Sequence, residues 1–235
     1  MTDYFGEQVA ARYDDSTGEY FDKAVIESTV DFLGEHSGDG AALELAIGTG
    51  RIALPLAQRG VRVHGIDLST AMVAKLKGKP GADAVGVTIG DFATTKVDGT
   101  FSLVYLVFNT INNLTTQDEQ VACFANAAAH LDPGGRFVIE VGVPNTASLT
   151  VFDLSDTHVG IDELDFDTQR LVSHHFSLVD GRWERASVPF RSVSPAELDL
   201  MARLAGMTLR ERWSDWNREP FNADSPKHVS VWQKP

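Results

Sequence analysis

The chain has 235 residues, of which 43% are hydrophobic and 23% charged, as is typical of a globular protein with one continuous core. A formal net charge of −13 repels nucleic-acid phosphates and anionic lipid, so we expect neither nucleic acid nor membrane as a partner and favour a cationic or zwitterionic small ligand. The single cysteine excludes an internal disulfide, and without a leader or a long apolar run we expect a cytoplasmic protein.

The first part of the chain carries apolar residues at helical spacing. This pattern predicts two helices, at 3–15 and 22–36. From residue 39 onward, strands and helices alternate. The predicted strands are 42–46, 61–66, 84–89, 102–108 and 136–143, and the predicted helices are 51–59, 69–77 and 117–131. Several strands are uniformly apolar, so we predict an α/β fold with a doubly wound, mostly parallel sheet covered on both faces.

The alternation stops after residue 143. Two strands without a helix between them, at 171–179 and 185–193, are joined near Asp180-Gly181 and predict an inserted antiparallel hairpin. A helix at 195–205 then leads to two final strands, which complete seven in the main sheet. We therefore predict a single domain 1–235 with four parts: a helical lid (1–38), a cofactor-binding half (39–143), the hairpin insertion (144–193) and a C-terminal part (194–235).

The segment ELAIGTGRIA, residues 44–53, occupies the first β-to-α turn. In an open α/β sheet, ligands bind beyond the carboxyl ends of the strands, and a glycine-rich turn lets the backbone touch the ligand. Asp67 ends the second strand at close to the spacing of about 20 residues at which an acid meets a ribose diol. The pattern predicts a nucleoside-containing ligand at this edge.

Two nucleoside ligands fit a glycine-rich turn. Gly48 to Ala53 also satisfies the G-x-G-x-x-A form of a dinucleotide-binding turn, which keeps an NAD-dependent oxidoreductase open as an alternative. Glu44, however, would repel a pyrophosphate and attract an ammonium group. Three acids follow three successive strands, Glu44, Asp67 and Asp91, and this arrangement suits S-adenosylmethionine, which has an ammonium, a ribose diol and an adenine but no phosphate.

With these motifs the chain resembles the class I S-adenosylmethionine-dependent methyltransferases from about Tyr13 to its end, and most closely their small-molecule N- and O-methyltransferases. The resemblance is carried by ALELAIGTGR, HGIDLSTAMV, VTIGDF, LVYLVFNTINNL and LDPGGRFVIE. It implies a Rossmann-like fold, S-adenosylmethionine as cofactor and a small-molecule acceptor.

The resemblance also implies roles for individual residues. Glu44, Gly48 and Gly50 would line the methionine part, with Ala46 and Arg51 beside them. Asp67 would hold the ribose, Leu68 and Met72 would flank the adenine, and Asp91 would accept from its amino group. Phe92 would pack beside the ring, Val107 and Phe108 would approach the sulfonium, and Tyr13 would fold over the cofactor from the lid. Ala46 stands where such families often have glycine.

A purely structural role also fits several of these residues. The glycines may serve tight packing alone. Asp67 could cap the helix that begins after Ser69, and Asp91 could be a turn residue. Met72 lies at helical spacing with core positions, and Tyr13 falls in an amphipathic helix, so both could belong to the core.

Methyl transfer from a sulfonium is an in-line displacement that depends mainly on positioning, and it needs a base only if the acceptor arrives protonated. Asn109 and Asn112, which follow the fourth strand, are candidate substrate residues, together with Trp216 in the aromatic run 213–228. Candidate catalytic residues are Tyr13, Asn113 and His228. Related enzymes can have a histidine near position 113, so its absence makes imidazole base catalysis from that loop doubtful. No metal-binding motif is present.

The sequence therefore predicts an enzyme that moves a methyl group from S-adenosylmethionine to nitrogen or oxygen of a small molecule, acting as a monomer or homodimer. Besides an oxidoreductase, a non-catalytic S-adenosylmethionine-binding protein remains an alternative. A lid speaks against the latter, because it is useful for excluding water during transfer.

Overall fold

The structure is a computed structural model that describes residues 3–15, 19–144 and 147–235. The parts of the predicted lid at 1–2 and 16–18 lie outside the described residues. The helices are α1 (Glu7–Arg12), α2 (Lys23–Ser37), α3 (Ala53–Gln58), α4 (Thr70–Lys77), α5 (Gln117–His130) and α6 (Pro195–Leu204). The strands are β1 (Ala41–Leu45), β2 (Arg62–Asp67), β3 (Val85–Ile89), β4 (Phe101–Leu106), β5 (Leu131–Gly142), β6 (Leu149–Leu154), β7 (His158–Asp165), β8 (Arg170–Val179), β9 (Arg182–Arg191), β10 (Thr208–Trp213) and β11 (Lys227–Gln233).

Seven strands form the main sheet in the order β10-β11-β5-β4-β1-β2-β3, which confirms the predicted α/β fold. The strands β1 to β5 run parallel, whereas β11 is antiparallel to both β5 and β10. Buried apolar residues cover both faces of the sheet. The strand order reverses between β1 and β4, so the loops that follow these two strands diverge and open a crevice, the usual ligand position in such sheets.

Helix boundaries agree with the capping signals in the sequence. Thr116 and Glu119 form a reciprocal capping box at the start of α5, and Ser194 accepts from the backbone of Glu197 at the start of α6. The predicted helix at 3–15 is shorter than expected, because α1 ends at Arg12 and a single 3₁₀ turn follows at Tyr13–Asp15.

The predicted hairpin is half of a larger unit. Its strands, β8 and β9, belong to a four-stranded antiparallel sheet in the order β6-β7-β8-β9. The strands β6 and β7 escaped sequence analysis because most of β6 is exposed, and acids and a glycine interrupt the apolar pattern of β7. This second sheet lies against the carboxyl edge of the main sheet, where the loop after β4 contacts β9.

Candidate active site

Two adjoining clefts lie beyond the carboxyl ends of β1, β2 and β4. The Asp67 cleft spans about 590 Å³ including space open to solvent, and among its walls are Ala46, Gly48, Asp67, Leu68, Met72 and Phe92. The Glu44 cleft spans about 330 Å³ on the same measure, and among its walls are Glu44, Arg51, Val107 and Phe108. Both clefts are lined by Tyr13, Ala46, Gly48 and Thr110, so together they form one continuous site.

Asp67 fixes the glycine turn and also faces the cleft. One carboxylate oxygen accepts from the backbone N–H of Gly48 at 2.6 Å, and the other accepts from the N–H of Ser69 at 2.8 Å. Burial nevertheless raises the pKa of Asp67 above its usual value, because desolvation outweighs these donors. The two oxygens have four lone-pair positions and the backbone of Leu68 is a third donor, so the carboxylate keeps acceptor capacity for a ligand hydroxyl.

Glu44 is a buried carboxyl at the end of β1. It is 4% exposed, and its Oε2 accepts from the hydroxyl of Tyr105, its neighbour across the strand pair, at 2.9 Å. Burial raises the pKa of Glu44 to about 8, against the opposing effects of the Tyr105 hydrogen bond and of Arg51. At neutral pH the unliganded carboxyl is therefore mostly protonated, and a cationic ligand would favour its ionised form.

Arg51 places a guanidinium group in the Glu44 cleft. The group lies between the rings of Phe21 and Phe108, 4.1 and 4.2 Å from their centroids, and its Nη1 donates to the carbonyl of Tyr20 at 3.0 Å. Its Nε is buried and has no hydrogen-bond partner among the described residues. Stacking thus fixes the cation while leaving donor capacity for an anionic group.

The turn after β1 uses left-handed backbone at three positions, with φ of 60° at Ala46, 57° at Gly48 and 77° at Gly50. A side chain at Gly48 would meet only Met72 Cε at 3.5 Å and would project into the cleft. At Gly50 it would approach Leu76 Cγ at 2.9 Å, so this glycine serves close packing instead. The tight-packing alternative therefore applies to Gly50, whereas Gly48 faces the cleft.

The N-terminal segment closes over both clefts. Thr49 donates from its hydroxyl to one oxygen of Asp14 at 2.6 Å, and Lys79 pairs with the other oxygen at 2.7 Å. Ser69 donates to the carbonyl of Phe5 at 2.7 Å. Tyr13, which belongs to this segment, lines both clefts.

A third cavity, the Asn112 pocket, lies between the segment 109–113 and the second sheet and spans about 920 Å³ including space open to solvent. Asn109 and Asn112 both line it. Asn109 is tied down on both sides, because its Oδ1 accepts from the N–H of Gly142 at 2.6 Å and its Nδ2 donates to the hydroxyl of Tyr20 at 3.0 Å. The buried Oδ1 of Asn112 has no hydrogen-bond partner among the described residues. Asn112 therefore offers an acceptor to a ligand.

Three predicted site residues lie elsewhere. Asp91 is half-buried and accepts from the N–H of Ala93 at 2.9 Å, as the turn-residue alternative expects, and it is not among the residues that line the clefts. Trp216 packs in the core against Phe32, with ring centroids 5.4 Å apart. His228 is fully buried beside Ser230, and burial lowers its pKa to about 4. We therefore do not retain Trp216 for substrate binding or His228 as a base.

Sequence reasoning missed several residues that the structure brings to the site. Tyr105 orients Glu44, and its place in the strand register opposite Glu44 was the available signal. Thr110, which was not among the candidates, lines both clefts, whereas the candidate Asn113 lines only the Asp67 cleft. The pairing of Asp14 with Lys79 joins residues far apart in the chain, which local patterns do not reveal.

Comparison with known proteins places this geometry in a family. Residues 42–135 match the model of a methyltransferase domain family. The structure of the CcbJ methyltransferase from Streptomyces caelestis superposes with a TM-score of 0.89 at 35% identity, covering 98% of this chain and 97% of that chain.

Two further matches span most of the chain. The cypemycin N-terminal methyltransferase of a Streptomyces species is 28% identical over 82% of each chain. The structure of S-adenosylmethionine-bound CalS10, an amino pentose methyltransferase from Micromonospora echinaspora, has the same fold, with a TM-score of 0.72 at 20% identity and coverage of 100% and 99%. With its acid-bordered glycine turn and this family match, the chain belongs to the class I S-adenosylmethionine-dependent methyltransferases.

Proposed function

We propose that the protein binds S-adenosylmethionine across the Glu44 and Asp67 clefts and methylates nitrogen or oxygen of a small molecule held in the Asn112 pocket. The observation that carries this proposal is the shared wall formed by the segment 109–113. Thr110 and Asn113 of this segment face the cofactor clefts, whereas Asn109 and Asn112 face the Asn112 pocket. In-line transfer needs direct contact between the nucleophile and the methyl carbon, so donor and acceptor would meet at the edge of this segment, where the clefts and the pocket adjoin.

The residues in the clefts fit the cofactor part by part. Glu44 would pair with the ammonium, and the free Nε of Arg51 suits the carboxylate. Asp67 would accept from the ribose hydroxyls. The adenine would lie among Leu68, Met72 and Phe92, which line the apolar side of the Asp67 cleft. Asp91 is left outside this assignment.

When bound, S-adenosylmethionine supplies a methyl group on a positively charged sulfur. The chain's contribution is to orient the reactants and to exclude water. Tyr13 and the N-terminal segment cover the cofactor clefts, Val107 and Phe108 provide an apolar wall, and the carboxamide of Asn112 can orient the acceptor. Asn113 lines the cofactor side of the shared wall and is retained as a positioning candidate.

A small acceptor agrees with the size of the Asn112 pocket and with the amino pentose named for CalS10. Within the described part of the chain, every helix is too short or too polar to cross a bilayer. We also propose that the protein is cytoplasmic, is a monomer or homodimer, has no nucleic-acid partner and forms a single domain over residues 1–235.

Calorimetry and a transfer assay test the proposed function. We expect S-adenosylmethionine and S-adenosylhomocysteine to bind the purified protein and NAD not to bind. Incubation with methyl-labelled S-adenosylmethionine and a panel of small amines and alcohols should transfer label to at least one of them. Binding of the cofactor without transfer to any acceptor would favour the non-catalytic alternative.

The pairing of Asp14 with Lys79 predicts slower cofactor release from the closed site. Replacing Lys79 by methionine removes the ion pair and the bond to the Thr49 carbonyl at 2.8 Å, so we expect S-adenosylhomocysteine to dissociate roughly two- to fivefold faster, as for a partly exposed ion pair. Stopped-flow release rates measure this change. Lys77→Met, on the exposed side of α4, is the matched control. Equal release rates in both variants would contradict a role of the Asp14–Lys79 ion pair in holding the site closed.

A further inference from the structure

The Asn112 pocket contains a carboxylate on its second-sheet side. Asp162 of β7 lines the pocket, and so does Ser173 of β8, its direct partner in the strand register. Asp162 is half-buried, and Ser173 is 6% exposed. Of the described residues that line this pocket, Asp162 alone carries a charge. The cavity therefore presents a single negative group to its ligand.

A chain of hydrogen bonds leads from Asp162 to the protein surface. Asp162 is hydrogen-bonded to Ser173, whose Oγ lies 3.3 Å from Nε2 of His175. Nδ1 of His175 lies 3.2 Å from Nε2 of His158, and Nδ1 of His158 lies 2.6 Å from Oδ2 of Asp153. The side chain of Asp153 is 49% exposed. With both histidines protonated on Nδ1, each bond from Ser173 outward donates in the same direction.

Among the described residues, no lysine or arginine is one of the groups that act on Asp162. Across the sheet its register partners are Thr150 on β6 and Ser173 on β8, and across the cavity it faces the amides of Asn109 and Asn112. The titratable groups acting on it are His175 and His174, both on β8. Burial raises the pKa of Asp162 above its usual value, so this carboxylate can take up a proton more readily than an exposed aspartate.

We propose, building on the proposed function, that the acceptor is an amine that arrives as its ammonium ion. Asp162 binds this cation, and the chain Ser173–His175–His158–Asp153 carries its proton to the surface. Nitrogen, rather than oxygen, is then the methylated atom. A carboxylate binds an ammonium more strongly than an alcohol, because its hydrogen bond to the ammonium joins two opposite charges, whereas the hydroxyl of an alcohol is neutral.

The proton steps balance along this chain. The ammonium gives one proton to Asp162, which leaves a neutral amine with a lone pair. Protonated Asp162 gives its proton to Oγ of Ser173, which gives its own hydrogen to Nε2 of His175. His175 then passes its Nδ1 proton to Nε2 of His158, and His158 passes its Nδ1 proton to Asp153 and solvent, so each group gains one proton and loses one. The amine lone pair attacks the methyl carbon, the carbon–sulfur bond breaks with its electrons left on sulfur, and the product is an N-methylammonium ion.

Binding measurements on matched probes test the amine site independently of turnover. Protein saturated with S-adenosylhomocysteine would be titrated with cyclohexylamine and cyclohexanol, with phenethylamine and phenethyl alcohol, and with glucosamine and glucose. We expect at least one amine to bind about tenfold or more tightly than its hydroxyl partner. Asp162→Asn should abolish this preference. Glu163→Gln, the adjacent acid with a 65% exposed side chain that pairs with His174, should keep it.

Two results would overturn the amine site: wild-type protein that shows no preference for any amine, or a preference that survives Asp162→Asn. Failure of the proposed function would look different, because the cofactor would then not bind, or bound amines would receive no label. Unchanged affinity of Asp162→Asn for S-adenosylhomocysteine would show that the variant is folded with intact clefts.

The histidines do not touch the acceptor and act on it through Ser173 and Asp162, and the pH dependence of transfer tests their part. With the best-binding amine, His175→Gln should lower kcat roughly tenfold near neutral pH and leave KM little changed. The deficit should shrink as pH rises, because more of the amine then arrives deprotonated. His174→Gln alters the neighbouring histidine, which contacts Ser187 and Glu163 and is no member of the relay, so its deficit near neutral pH should be much smaller than that of His175→Gln. A deficit independent of pH would overturn the relay.

Discussion

Replacing Glu44 by glutamine should weaken binding of S-adenosylmethionine about a hundredfold, the effect of losing one buried, charge-assisted hydrogen bond worth roughly 3 kcal/mol. The loss should be specific, because glutamine fills the same volume and can still accept from Tyr105. Calorimetry measures the affinity. Glu27→Gln, on the exposed side of α2, is the matched control. Equal affinity of the two variants would remove Glu44 from the cofactor site.

The number of protons released on cofactor binding is a second test of Glu44. Burial raises the pKa of Glu44 to about 8 in the free protein, whereas a bound ammonium favours the carboxylate, so cofactor binding at pH 7 should release close to one proton. Calorimetry in buffers of different ionisation enthalpy counts this proton, and Glu44→Gln should release none.

The raised pKa of Glu44 also predicts a pH-dependent stability. Because it lies above the unfolded value of 4.5, ionisation of Glu44 opposes folding, and its cost grows as pH rises from about 4.5 through 8. Without cofactor, the thermal unfolding temperature of Glu44→Gln should therefore increase relative to that of wild type as pH rises through that window. A difference in unfolding temperature that is the same at every pH would contradict the raised pKa of Glu44.

Asp67→Ala should weaken cofactor binding by roughly ten- to hundredfold and also destabilise the free protein by about 2 kcal/mol. Both effects have one origin, because the same carboxylate would bind the ribose and already holds the N–H groups of Gly48 and Ser69. Without it, these two donors lose their acceptor and the turn after β1 loosens. Denaturant unfolding and calorimetry measure the two losses separately.

Two further variants test the Asp67 prediction. Asp83→Ala, in an exposed turn before β3, should change neither affinity nor stability. Asp67→Asn keeps one acceptor oxygen, so it should recover part of the stability but little of the affinity, since the charge is gone. Wild-type affinity in Asp67→Ala would exclude this residue from the ribose site.

The cofactor half could be predicted from sequence because its signals are local. Strand and helix periods, capping residues and the glycine turn each act within a few residues, and parallel strands bring their carboxyl ends to one edge. Glu44 and Asp67 thereby reach the same pair of clefts.

The acceptor side could not be predicted in this way, because distant contacts decide it. The loop after β10 folds back on α2, where Ser28 donates to Asn217 at 2.9 Å, and this contact carries Trp216 into the core. Strand alternation in β11 puts His228 with Ser230 on a buried face. Asp162 gave no sequence signal, since one acid among several in an irregular strand is ordinary until its register partner is known.

The N-terminal segment covers the cofactor clefts, while the Asn112 pocket lies on the far side of the segment 109–113. The two reactants would thus enter from different sides. S-adenosylmethionine and S-adenosylhomocysteine must pass the N-terminal segment, whereas acceptor and product could exchange at the Asn112 pocket while that segment stays closed. Such an arrangement would favour ordered kinetics, with the donor entering first and S-adenosylhomocysteine leaving last.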